Sequence, residues 1–232
     1  MKIGLISPIF FICLVHLMVF KPINFMSDIL LKKSELNNNQ EIIISGSKSE
    51  TNRLLLLQAL YPNLKIENAS NSNDSEVMKK ALQSVGKSKE INVNHAGTAM
   101  RFLTSFFAVQ EGVEVVLSGS DRMHERPIKI LVDALNQLGS DISYLKEEGF
   151  PPIKIIGKKI QDNKVLIDAN VSSQYITSLM LVGSSLPNGL EIQLQGTITS
   201  IPYIKMTLSV LKSLGIKVEF HDDTIRIPYT EK

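Results

Sequence analysis

The stretch I-L-V-D-A-L-N-Q-L-G, residues 130–139, has two echoes in the same chain: V-M-K-K-A-L-Q-S-V-G at 77–86 and M-T-L-S-V-L-K-S-L-G at 206–215. Each spaces its apolar residues as one face of a helix and closes with an apolar residue and a glycine, the expected C-terminal cap. Exposed amphipathic helices are therefore expected over 75–86, 126–139 and 202–215, with Pro127 and Pro202 in first turns, where proline is tolerated. Upstream of each lies a helix candidate that is apolar nearly all round: 49–60, 97–109 and 173–186. Such helices belong inside a fold. Short β-like runs (41–45, 113–119, 164–169, 190–196 and 216–220) alternate with them. The chain thus reads as an α/β domain of three repeated units, each pairing a buried helix with an exposed one. No linker separates the units; N-A-S-N-S-N-D at 68–74 is a polar turn.

Composition narrows the function. The 232 residues are 44% hydrophobic and 21% charged, with a net charge of +2. Of the 25 basic residues, Lys2 and Lys21 precede residue 26, where no acid occurs, so 23 basic residues face 23 acidic ones in the remainder. That balance argues against a nucleic-acid or membrane-surface binder, which needs a clustered positive field. Any anion site must be local. The single cysteine, Cys13, and the scattered His95, His124 and His221 give no disulfide, no thiolate site after residue 13 and no metal-ligand spacing. A cytoplasmic protein without metal or organic cofactor is the expectation.

Residues 3–20 are uncharged and almost wholly apolar, marginally long enough to span a bilayer and also compatible with a signal peptide. The reading adopted is that translation starts at Met26 and that residues 1–25 stand outside the domain. Residues 26–232 then form the domain, with 26–40 a candidate part of an inter-domain region.

The three buried helices share their openings: S-G-S-K-S (45–49), H-A-G-T (95–98) and S-S-Q-Y (172–175). Small polar and glycine residues at helix starts leave free N–H groups at the positive end of the dipole, which suits an anion. Singly, each has a plainer reading. S-G-S-K lacks P-loop spacing and fits a solvated turn. Ser172 fits an N-cap, although one serine would suffice for that and a second follows. Repetition in all three units favours convergence on a common ligand.

In order along the chain, S-G-S-K-S-E-T-N-R-L-L-L-L (45–57), H-A-G-T-A-M-R (95–101), R-M-H-E-R-P-I-K-I-L (122–131), S-S-Q-Y (172–175) and S-I-P-Y-I-K-M (200–206) resemble the N-terminal half of the 5-enolpyruvylshikimate-3-phosphate synthase family. The resemblance runs from about Leu30 to the end. It implies an enolpyruvyl transferase-type domain of three repeated α/β units, helices inside and sheets outside, the first of two such domains with substrates in the cleft between. It also supports Met26 as the start, because the S-K-S motif then falls some twenty residues in.

The activity implied is transfer of the enolpyruvyl group from phosphoenolpyruvate to the 5-hydroxyl of shikimate-3-phosphate. By resemblance, Lys48 contacts both substrates and is the catalytic residue. Ser49 and Arg53 hold the shikimate carboxylate and ring, Gly97 admits backbone N–H groups to phosphoenolpyruvate, and Arg126 clamps it. Ser172, Ser173 and Ser200 bind the 3-phosphate, Gln174 bridges both ligands and Tyr203 lines the shikimate pocket. Plainer alternatives stand beside several of these: a surface lysine for Lys48, a salt bridge from Arg126 to Glu125 or Asp133, and simple packing for Tyr203. Two positions depart from the pattern: Ser45 stands where the family usually has proline, and His95 where many members have asparagine, near phosphoenolpyruvate. The acidic residues and further Lys and Arg expected of a second domain do not precede Lys232. The implied partner is therefore a C-terminal domain, in the same or a second chain, and this chain reads as a substrate-binding half. Two other readings are a non-catalytic phospho-ligand module and a relative of UDP-N-acetylglucosamine enolpyruvyl transferase. Ser49, where that second family has asparagine, and the lack of cysteine after residue 13 count against the latter.

Overall fold

A computed structural model describes residues 41–231, Ile42 and Val171 apart. The apolar leader, the Met26 start and the 26–40 segment lie outside the described residues. No helix among the described residues is long and apolar enough to cross a membrane.

Seven helices and eight strands are described: α1 Lys48–Leu60, α2 Asn73–Gln83, β1 Glu90–Asn92, α3 Gly97–Ala108, β2 Glu114–Ser118, α4 Asp121–His124, α5 Lys129–Gln137, β3 Asp141–Tyr144, β4 Ile153–Ile156, β5 Lys164–Asp168, α6 Ser173–Gly183, β6 Leu190–Gln195, α7 Ile201–Ser213, β7 Glu219–His221 and β8 Thr224–Ile227. Two four-stranded sheets have one topology: order β1-β2-β4-β3 in the first and β5-β6-β8-β7 in the second. In each, a parallel pair (β1–β2, β5–β6) is joined across a buried helix, and an antiparallel hairpin (β3–β4, β7–β8) follows the exposed one. The repeat expected from the helix echoes is thus present as β-α-β-α-β-β twice over.

Burial sorts the helices as their composition requires. Eleven of twelve residues of α3 and ten of eleven of α6 are buried, against three of thirteen in α7. Phe102, Leu103, Phe107, Leu179 and Met180 of the inner helices and Leu117, Ile153, Ile192 and Ile225 of the two sheets belong to one buried hydrophobic cluster. Strand positions alternate accordingly, as in the pattern of β6, where Leu190, Ile192 and Leu194 are buried. Helices lie inside and sheets outside.

The first unit differs from the other two. α1 and α2 form its helix pair; among the described residues of the strand predicted at 41–45 none is in a strand, and Ile43 and Ile44 are exposed. Gly86 leads almost directly into β1, whereas Gly139 and Gly215 are followed by hairpins. All three glycines have positive φ, as the shared capping position demands.

Two further expectations need correction. The helix predicted over 126–139 begins only at Lys129, and a separate turn of helix, α4, precedes it. The Pro127 carbonyl is taken by the Tyr175 hydroxyl at 2.6 Å and Arg101 Nη2 at 3.5 Å, and Ile128 N–H donates to Gly149 O, so these residues face other elements. The strand predicted at 216–220 is shifted to Glu219–His221, with Asp222 at positive φ turning the chain into β8.

Candidate functional site

Four helix starts meet at one pocket of about 330 Å³, lined by Lys48, Ser49, Arg53, Thr98, Phe102, Ser172, Ser173, Gln174, Ser200 and Tyr203. The shared openings anticipated convergence of α1, α3 and α6, and the family resemblance added Ser200 and Tyr203 at the start of α7, which forms the fourth side. Eight of the ten predicted residues line this pocket. The other two, Gly97 and Arg126, stand beside it, and a neighbouring pocket of about 490 Å³ is lined by His95, Arg122, Met123 and Arg126.

α1 is positioned by close backbone approach. A Cβ at Gly46 would sit 1.9 Å from Asn68 O, so only glycine admits the loop before the helix. Ser47 caps α1 by accepting from Glu50 N–H, and Ser70 N–H donates to Thr51 Oγ1 at 2.9 Å. Lys48 is half-exposed at 51% of its side chain and donates to Asp74 Oδ2 at 3.3 Å. Asp74, in the first turn of α2, therefore aims the lysine, a contact that a 26-residue separation hides from sequence.

Arg53 is buried, at 3% exposure, and locked. Its Nε donates to Thr207 Oγ1 at 2.9 Å and its Nη1 to Ser49 O at 2.7 Å, and the guanidinium lies over the Phe102 ring at 5.7 Å. Burial pushes its pKa down to about 10, partly opposed by Tyr203 and Glu50. Among the described residues no carboxylate pairs with it, so a ligand carboxylate reaching its remaining Nη2 would offset the desolvation.

Ser172 is the N-cap of α6, accepting from Gln174 N–H at 3.3 Å, so the plain reading of this serine is realised. Ser173 is different. Its hydroxyl lines the pocket and has no hydrogen-bond partner among the described residues. Gln174 Nε2 donates to Thr98 Oγ1 at 3.4 Å and ties α6 to the start of α3. Ser200 sits in the left-handed region (φ 53, ψ 39) and makes no capping bond. Tyr203 is 48% exposed at the pocket rim.

That left-handed serine yields a test. A non-glycine residue there carries roughly 1–2 kcal/mol of strain. Ser200→Gly should therefore match the parent in stability or exceed it by about 1 kcal/mol, whereas a β-branched Ser200→Val should destabilise by about 1–3 kcal/mol. Chemical denaturation of the three proteins decides; equal midpoints would mean the backbone is unstrained.

On the second side, a Cβ at Gly97 would lie 2.3 Å from Arg126 Nη1 and 2.7 Å from Arg101 Nη1, so two guanidinium groups close over this glycine. Arg101 is buried, donates to Gly97 O at 2.9 Å and lies over the Tyr175 ring, while its Nε has no partner among the described residues. Burial lowers its pKa, and the Arg126 charge lowers it further. Among the described residues Arg126 pairs with neither Glu125 nor Asp133; the latter accepts from Lys129. Thr98 and Arg101 lie inside the H-A-G-T-A-M-R motif but had no role assigned from sequence, and Phe102 and Asp74 were not anticipated.

Comparison with known proteins agrees with this architecture. Residues 87–230 match the family model described as EPSP synthase (3-phosphoshikimate 1-carboxyvinyltransferase). A 3-phosphoshikimate 1-carboxyvinyltransferase of Bacteroides fragilis is 41% identical over 183 residues, covering 78% of this chain and 44% of the relative. One from Colwellia psychrerythraea is 38% identical over 209 residues, covering 79% and 49% respectively. The solved EPSP synthase from Acinetobacter baumannii superposes with a TM-score of 0.67 at 18% identity, over 82% of this chain and 48% of that one. The chain spans about half the length of the curated relatives it matches.

Proposed function

The chain belongs to the EPSP synthase family, and from that premise we propose that it binds shikimate-3-phosphate and contributes one side of the site at which the enolpyruvyl group of phosphoenolpyruvate is transferred to the 5-hydroxyl, with release of phosphate. The observation that carries this reading is the pocket of Ser172, Ser173, Ser200, Gln174, Lys48 and Arg53. Hydroxyls and helix N–H groups there suit a phosphate at one end, and a desolvated, oriented guanidinium suits a carboxylate at the other. Ser49 and Tyr203 line the ring between them.

The reaction adds the 5-hydroxyl oxygen, which gives up its proton, to C2 of phosphoenolpyruvate while C3 takes a proton. The tetrahedral intermediate then loses a proton from C3 as the C2–O bond to phosphate breaks, which restores the C2–C3 double bond. In this account Lys48, aimed by Asp74, serves the reacting hydroxyl and the departing phosphate as a cationic acid–base group. Arg126 holds phosphoenolpyruvate beside Gly97. The half of the relatives' length outside the match supplies the groups facing these across the cleft. Cytoplasmic location follows from the same reading.

The 232-residue polypeptide should bind shikimate-3-phosphate and release negligible phosphate from phosphoenolpyruvate on its own. Calorimetry and a phosphate-release assay measure the two; appreciable turnover by this polypeptide alone overturns the two-sided account. Gly97→Ala provides a second check. The added methyl displaces the exposed end of Arg126 but also meets the buried Arg101 Nη1, which is held on Gly97 O, so stability should fall by about 1–3 kcal/mol. In an enzyme complete in both halves, the apparent affinity for phosphoenolpyruvate should fall about tenfold while that for shikimate-3-phosphate hardly changes. Equal losses for both would contradict the assignment of two sides.

A further inference from the structure

We propose that His95 is a protonation-controlled member of the anion seat formed with Arg122 and Arg126, so that this side of the site holds a dianionic oxyanion more tightly as the pH falls. His95, Arg122 and Arg126 line one pocket, with Met123 as its apolar wall. The His95 ring is oriented by Ser120, whose Oγ lies 2.7 Å from Nδ1. A hydroxyl both donates and accepts, so this bond survives whether Nδ1 carries a proton or not. The ring can therefore gain a charge without losing its anchor. Among the described residues neither arginine is paired with a carboxylate, so both guanidinium groups are open to an anion.

The charged surroundings of His95 fall on two sides. Arg122 and Arg126 face it from α4 and the residue pair after it. From α2, Asp74, Glu76 and Lys80 line the adjoining pocket that His95 also borders. Asp74 is engaged by Lys48. His124, two residues from each arginine, is turned to Ser118 Oγ at 3.0 Å on β2 and is not part of the seat. A dianion seated between the ring and the arginines favours the charged imidazole, and by linkage the charged imidazole favours the dianion. Histidine is the side chain whose charge commonly changes between pH 5 and 8, which sets the range over which the coupling is to be sought. An asparagine at position 95 offers a hydrogen bond and no such charge. The inference uses the proposed function only in placing the anionic group of phosphoenolpyruvate at this seat.

The probe is inorganic sulfate, which stays dianionic throughout, titrated at constant ionic strength against the full chain. Proton NMR of the imidazole signals is followed with pH; the His95 signal is identified by its loss in His95→Asn. Sulfate should raise the His95 titration midpoint by about 0.5–1 pH unit. Reciprocally, sulfate affinity should fall about three- to tenfold from about pH 5.5 to about pH 8. His95→Asn should flatten that dependence, Arg126→Gln should remove the midpoint shift, and His124→Asn should change neither. A midpoint unmoved by sulfate, an unchanged pH dependence in His95→Asn, or a shift that persists in Arg126→Gln would each overturn the proposal. Shikimate-3-phosphate binding, measured separately, reports on the proposed function. Its loss with the sulfate coupling intact would sink that reading and leave this one standing.

Discussion

Arg53→Met is expected to reduce shikimate-3-phosphate affinity at least about a hundredfold without unfolding the protein. A charged pair to the ligand carboxylate contributes about 3 kcal/mol, and about 1.4 kcal/mol is a factor of ten. Stability should move the other way or not at all. The guanidinium is buried without a carboxylate partner among the described residues, and its pKa is already down to about 10. Replacing such a charge by an apolar side chain of similar volume is often neutral or stabilising. Thr207 keeps a place in the network, since its hydroxyl also meets Thr177 Oγ1 and donates to Tyr203 O. The pH dependence has a definite sign. Above about pH 10 the folded arginine releases its proton while the unfolded one retains it. The unfolded state then binds more protons, so this group's contribution to stability rises with pH there and Arg53→Met removes that rise. Calorimetric titration with denaturation at two pH values checks both halves. Unchanged affinity, or a loss of several kcal/mol of stability, would show that Arg53 serves the fold rather than the ligand.

The serines at the start of α6 should separate a ligand role from a capping role. Ser172 caps the helix, so Ser172→Ala should lower stability by about 0.5–2 kcal/mol. Ser173 makes no such bond among the described residues, and Ser173→Ala should leave stability nearly unchanged. If both hydroxyls meet a phosphate, each substitution removes a bond to a charged oxygen worth about 1.5–3 kcal/mol. Shikimate-3-phosphate binding then weakens about tenfold to a hundredfold in each variant, while unphosphorylated shikimate changes little. Equal losses for the two ligands would mean general damage to the helix start, and the phosphate role would be abandoned.

Sequence carried the inner layer of this fold better than the outer one. α1, α3 and α6 were legible because a helix apolar all round has nowhere to go but inside, and their polar openings marked the shared pocket. The hairpins were not: Asp141–Tyr144 and Ile153–Ile156 are four-residue strands, too short to show a period, and they pair only with each other and β2. Ile43 and Ile44 misled in the opposite sense. No strand that pairs with this run is among the described residues, and both side chains are exposed. The helix start at 126 failed because local capping signals around Pro127 lost to a tertiary demand for its carbonyl. At the site, motif residues were readable, but those acting from another element were not. Asp74 reaches Lys48 from α2, and Phe102 lies beneath Arg53 from α3; nothing in the local spelling of either announces the contact.

Under the proposed function, this pocket recognises shikimate-3-phosphate through its phosphate. Calorimetric titration of the 232-residue protein with shikimate-3-phosphate and with shikimate, in the same buffer, tests it most directly. Saturable one-to-one binding of the phosphorylated ligand is expected, with affinity for shikimate at least about a hundredfold weaker, the loss of two charged hydrogen bonds. Equal affinity for the two ligands, or no saturable binding of shikimate-3-phosphate, would contradict it.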